Sequence, residues 1–159
     1  MGNVNSFLAD WTIRFLENKD AIKGEIVKIE KDKGGFDFVI NYKDKVKCFI
    51  IAPILDNNAS GRIKNEGHFG VVTLNNPSNI RSVINEWKKL ADFEFLNIYF
   101  VNPFSSADKA WVINPYIHDK VCDKASLELG LKAMAEMVNI IGMDEMNKKV
   151  KLLKEESGQ

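Results

Sequence analysis

The sequence predicts one α/β domain, a mixed β-sheet of about five or six strands flanked by helices and closed by a C-terminal helical pair. Three observations carry this. Residues 71–115 spell strand, helix, strand, strand: 71–74 is a short apolar run, Pro77 stands at a first helical position, and Ile80, Val83, Ile84, Trp87 and Leu90 repeat at helical spacing. Residues 96–101 form the next apolar run, ending at Asn102-Pro103, and strand, helix and strand of these lengths imply a right-handed parallel crossover. Ahead of this unit, residues 25–55 read as three strands joined by turns. Lastly, 159 residues with 45% apolar and 28% charged side chains are enough for one globular domain with its own core.

Taken in order, Asn5 or Ser6 is expected to cap a helix over residues 6–18. Phe7, Leu8, Trp11, Phe15 and Leu16 give it a broad aromatic face suited to packing on a sheet. Residues 25–31 are expected as a strand with Val27 and Ile29 inward, although Ile22, Ile26 and Ile29 also suit a helix. Gly34-Gly35 turn into a strand in which Phe36, Phe38, Ile40 and Tyr42 alternate with Asp37, Val39, Asn41 and Lys43. Residues 46–55 are apolar on both faces through their middle, so this run and 96–101 belong where a sheet is covered on both sides. Residues 56–70 show no periodicity and read as the longest loop, of a kind that often carries function. Residues 110–114 should pair back on the 96–101 strand, Pro115 ends that strand, and 116–124 is a connector. Ser126 begins a helix bearing Leu127, Leu131, Met134, Ala135, Val138 and Ile141, which Gly142 stops. A last helix over 144–154 carries the narrow stripe Met146, Val150 and Leu153. Residues 1–142 and the 143–159 helix and tail are expected to form one domain.

The 22 basic and 22 acidic residues cancel, so composition gives nucleic-acid binding no support, although a local basic face remains compatible with it. Cys48 and Cys122 lack CxxC or histidine spacing and read as free thiols of a reducing compartment. No apolar run is long enough to span a membrane, and the amino terminus lacks a basic region followed by an apolar stretch. A cytoplasmic protein without membrane attachment is the expectation.

Over residues 6–102 the order helix, three-strand meander, parallel crossover resembles the core of the restriction-endonuclease-like superfamily. In active members of that superfamily an Asp early in the second strand and a Glu-x-Lys on the third hold a divalent metal and help generate the attacking hydroxide. The resemblance places Asp37 at that Asp, but the third strand reads CFIIAPI, with Ile50 and Ala52 or their neighbours where Glu and Lys belong. It therefore implies an inactive or reassigned member. A working nuclease using Mg2+ or Mn2+ would need Glu17, Asp56 and Lys47 to complete the set; without that role Asp37 is a solvent-facing strand residue. No other cofactor is implied.

A different site class follows from the two strand ends at Asn75 and Asn102. Asn75, Asn76, Ser78 and Asn79 beside a helix start, with Asn102, Ser105 and Ser106 after the next strand, stand where open α/β sheets bind small polar or anionic ligands. The same residue types also serve as caps and turns. His68 and His118 stand apart from any metal-site spacing. With no complete catalytic set, the leading expectation is a non-catalytic protein that acts through a protein partner or self-association, using the Met146, Val150, Leu153 stripe as contact surface. The nuclease and the small-ligand binder are the alternatives.

Overall fold

Gly34 and Gly35, both at positive φ, turn the chain between β1 (Ile26–Lys33) and β2 (Phe36–Tyr42), where a side chain would strain the backbone. β3 (Val46–Ile51) continues the antiparallel meander. β4 (His68–Leu74) and β5 (Leu96–Val101) then add in parallel, and β6 (Ala110–Ile113) returns antiparallel on β5. The six strands lie side by side in chain order. This is a computed structural model that describes residues 2–64 and 66–157.

Alternation of side chains divides the core between two faces. One face, with Phe38, Ile40, Phe49 and Val72, is covered by α1 (Gly2–Asp20) and α7 (Met143–Glu156) through Leu8, Met146 and Val150. The other, with Ile50, Val71, Ile98 and Phe100, is covered by α3 (Pro77–Asn85), α4 (Trp87–Leu90) and α6 (Lys124–Ala135), with the short α2 (Asn57–Ser60) at its margin. α5 (Pro115–Val121) is tied to α4 by Trp87 Nε1, which donates to Asp119 Oδ1 at 2.9 Å. The predicted class holds: one α/β domain, a mixed six-stranded sheet, and helices at the C-terminal end of the chain. Among the described residues no helix is long and apolar enough to cross a membrane.

Several local expectations are corrected. α1 begins at Gly2, ahead of Asn5 and Ser6. The β1 register shifts between Ile26 and Lys28, so Val27 is exposed and Ile26 joins Ile29 against the core. The predicted 56–70 loop contains α2 and the first residues of β4, so His68 opens a strand. The helix expected over 80–90 is interrupted at Glu86, whose φ of −101° and ψ of 12° leave the helical region. The 116–124 connector is mostly α5, capped by Asn114 Oδ1, which accepts from Ile117 N at 3.0 Å. α6 starts behind the Asp123 cap and ends at Ala135, so Val138 and Ile141 reach the core from a non-helical link. Gly142 caps α7 instead of stopping α6. Met146 and Val150, two of the three residues of the supposed contact stripe, are buried inside this chain, leaving Leu153 40% exposed.

Candidate functional site

At the carboxyl edge of the sheet, asparagines fasten the chain to itself. Asn75 follows β4 and is fully buried; its Nδ2 donates to the carbonyls of Ala135 (3.1 Å) and Val138 (2.8 Å), and its Oδ1 accepts from Trp111 Nε1 (2.8 Å). Asn76 Nδ2 donates to Ile141 O at 3.0 Å, while its Oδ1 caps α3 by accepting from Asn79 N at 2.9 Å. Asn79 spans Pro53 O and Leu74 O with its donors and receives Leu55 N at 2.9 Å. Asn102 Nδ2 donates to Asn139 O, and Ser105 Oγ and Ser106 Oγ both donate to Asn139 Oδ1. Ser78 is exposed in the first turn of α3. The seven residues are thus gathered on one edge. Asn75, Asn76, Asn102, Ser105 and Ser106 hold the 136–142 link against the strand ends, and Asn79 ties residues 53–55 to the end of β4.

That link walls a cavity of about 480 Å³ between α3 and α6. Its floor is buried Ile80, Ala135 and Val138, with half-buried Ile84 beside them; Arg81, Lys132 and Glu136 stand exposed at its rim. Lys132 is engaged by Glu128 at 2.7 Å, whereas Arg81 approaches the same carboxylate only to 4.0 Å. The apolar lining went unforeseen because its two halves lie some fifty residues apart in the chain. A second cavity of about 160 Å³, between α2 and α3, has Asp56, Ser60 and Glu86 among its lining residues.

The amino-terminal edge carries a different arrangement. Lys47 is 7% exposed, and its Nζ donates to Asn97 Oδ1 at 2.7 Å and to Tyr99 Oη at 2.9 Å, two strands away. Gly70 of the intervening strand opens the way: a Cβ there would lie 2.5 Å from the Phe49 ring and 3.2 Å from Tyr99. Burial pulls the Lys47 amine down to about 8, with a smaller contribution from Lys45, and burial pushes the Tyr99 hydroxyl up. His68 is paired with Lys47 in the parallel register and stacks on Phe95 with centroids 4.4 Å apart. Partial burial, then Lys45 and Lys47, lower its proton affinity.

The residues named by the nuclease resemblance do not share one face. Asp37 alternates with Phe38 and sits beside Ile50, while Lys47 faces the α1 and α7 side with Phe49. Asp37 Oδ2 accepts Ile51 N at 2.7 Å. Glu17 is exposed on α1, and Asp56 is exposed just before α2. Among the described residues no group of three or more His, Cys, Asp or Glu is placed to hold a metal ion. Cys48 and Cys122 are free thiols, and burial pushes the Cys48 thiol up. His118 meets Trp87 edge-on at 5.6 Å. Compared with protein-family models, curated proteins and solved structures, the chain finds no match.

Proposed function

We propose that the protein is a non-catalytic binder of a small amphipathic ligand, an apolar body bearing a carboxylate or similar anion, seated between α3 and α6. The observation that carries this reading is the cavity of about 480 Å³ beside the carboxyl end of β4, where open α/β sheets bind ligands and whose volume suits a small molecule. Ile80, Ile84 and Val138 offer the ligand an apolar bed. The Arg81 side chain is 60% exposed and only loosely approached by Glu128, so it can take a carboxylate through two N–H groups. In this reading the asparagines keep the cavity walls in place, and recognition belongs to the apolar floor and the rim charge.

The test is NMR titration with small aliphatic and aromatic carboxylates beside their neutral amides. Carboxylates should shift the amide resonances of residues 78–84 and 136–140 saturably, and the amides should do so more weakly. Ile84→Trp, which fills the cavity from a half-buried position, should abolish the shifts while the rest of the spectrum stays native. Shifts that map elsewhere, or none up to the solubility limit, would overturn the reading.

A further inference from the structure

We infer that the amino-terminal edge of the sheet binds a small phosphate-like oxyanion through Lys47, His68 and Lys45. The argument begins with the cost of Lys47. A lysine is almost never this deeply buried without a partner of opposite charge, yet at 7% exposure both hydrogen-bond acceptors of its Nζ are neutral. Among the ion pairs of the described residues none involves Lys47. An ammonium has three donors; two go to Asn97 and Tyr99, and the third has no oxygen acceptor among the described residues, although the Phe49 and Tyr99 ring centroids lie 5.3 and 5.2 Å from the nitrogen.

Two further bases stand next to it. His68 lies directly across the parallel ladder from Lys47, on the same face, and is half-buried. Lys45 lies over the Tyr42 ring at 5.1 Å, and its carboxylate contact, Asp44, is 3.9 Å away. Of the other acids around this edge, Asp20 and Glu25 act on Tyr42, and Asp20 already accepts from the N–H groups of Glu25 and Ile26; Glu66 and Glu94, which flank His68 and Phe95 in the chain, are exposed, and Asp44 is the acid that acts on His68. The charges that act on His68 are therefore Lys45 and Lys47, opposed by Asp44. A dianion would supply the charge that Lys47 lacks and would reverse the field that now disfavours protonated His68, so its binding should take up a proton.

The test follows the His68 ring by NMR across pH, in chloride, inorganic phosphate and phenyl phosphate at matched ionic strength, with His118 as internal control. Phosphate should raise the His68 midpoint by about half a unit or more and leave His118 in place. Lys47→Met should remove that shift and weaken phosphate binding about tenfold by calorimetry; Lys45→Gln, a milder change at the rim, should weaken it less. A Lys47-dependent shift with phenyl phosphate assigns the site to phosphate monoesters, and one with inorganic phosphate alone assigns it to the free ion. A midpoint unmoved by both anions, or moved equally in Lys47→Met and Lys45→Gln, would overturn the proposal.

Discussion

Asn75 and Lys47 are both buried polar residues at opposite edges of one sheet, and their surroundings differ in kind. Asn75 has two donors and an oxygen, and each meets a partner: Ala135 O at the end of α6, Val138 O in the link that follows, and Trp111 Nε1. Lys47 carries a full charge, and what it meets is an amide oxygen, a phenol and the faces of the Phe49 and Tyr99 rings, none of them a counter-charge. Satisfied neutral groups in a low-dielectric interior stabilise and fix the chain, whereas a buried charge without a counter-charge costs free energy even when hydrogen-bonded. The carboxyl edge therefore reads as scaffold around a preformed cavity, and the amino edge as a place where stability is given up.

The sharpest way to break the scaffold is Asn75→Ala. It leaves the Val138 carbonyl and an indole N–H without these partners, each worth roughly 1–3 kcal/mol, while the Ala135 carbonyl keeps the bond from Val138 N, so a loss of about 3 kcal/mol is expected in urea denaturation. Trp111→Phe removes one of those bonds and should cost less, about 2 kcal/mol. A similar cost for both would mean that the amide donors contribute nothing and that the link is held by packing alone.

Next in size is Gly70→Ala, which tests the passage that Lys47 and Phe49 use. The new methyl would sit 2.5 Å from the Phe49 ring, a distance that forces a shift in a packed layer, and about 2–3 kcal/mol should be lost. Phe49→Leu also destabilises, but the double variant should lose clearly less than the sum, because the smaller side chain makes room. Strict additivity would place the strain elsewhere.

Gly70 also shows what could be read beforehand. Class, sheet content and the α3 start were legible because they rest on local signals: apolar periodicity, and an Asn-Pro pair in which Asn caps and Pro opens the helix. The same pair opens α5 at Asn114-Pro115, but that helix buries little beyond Pro115, so no apolar stripe announced it. At Asn102-Pro103 the pair makes a turn instead, with Asn102 Oδ1 accepting Phe104 N. The asparagines of the carboxyl edge were identifiable as a group, yet their partners were not, since Asn75 bonds to carbonyls sixty and more residues away. The amino edge was hidden for a similar reason. A lysine at the start of a strand normally reaches solvent, and its turn inward depends on a glycine that the sequence pattern assigns to a loop.

Lys47 should reveal its cost through pH. Its amine is held at about 8 against the ordinary 10.5, so the folded state disfavours the proton. Below pH 8 both states are protonated and the penalty is present in full. Between 8 and 10.5 the unfolded chain binds more protons, and stability rises with pH through that window. Tyr99 and Tyr42 oppose this at the upper end, because their raised affinities favour the folded state only until the unfolded phenols ionise near pH 10. Between pH 7 and 9.5 the gain attributable to Lys47 should be about 1–2 kcal/mol. Lys47→Met should flatten that slope and be more stable than the parent at pH 7 by about 1 kcal/mol. An unchanged slope would mean that another group titrates.

The smallest effect is expected at Asp37, and it bears on the nuclease resemblance. The β2 to β3 pairing runs as far as Phe38 opposite Phe49, and one step beyond it the Asp37 carboxylate accepts Ile51 N in place of a ladder carbonyl. Asp37→Asn keeps an oxygen acceptor and should change stability by less than about 0.5 kcal/mol; Asp37→Ala orphans the N–H and should cost about 1 kcal/mol. A carboxylate that also served a divalent cation would behave differently. Mg2+ or Mn2+ would then raise the melting temperature of the parent and not of Asp37→Asn, because a ligand that binds only the folded state stabilises it by mass action. With Lys47 on the other face and, among the described residues, no group of three or more His, Cys, Asp or Glu placed to hold a metal ion, equal melting in the presence and absence of either cation is expected for both proteins. A cation-dependent difference between them would restore Asp37 to the role that the resemblance gives it.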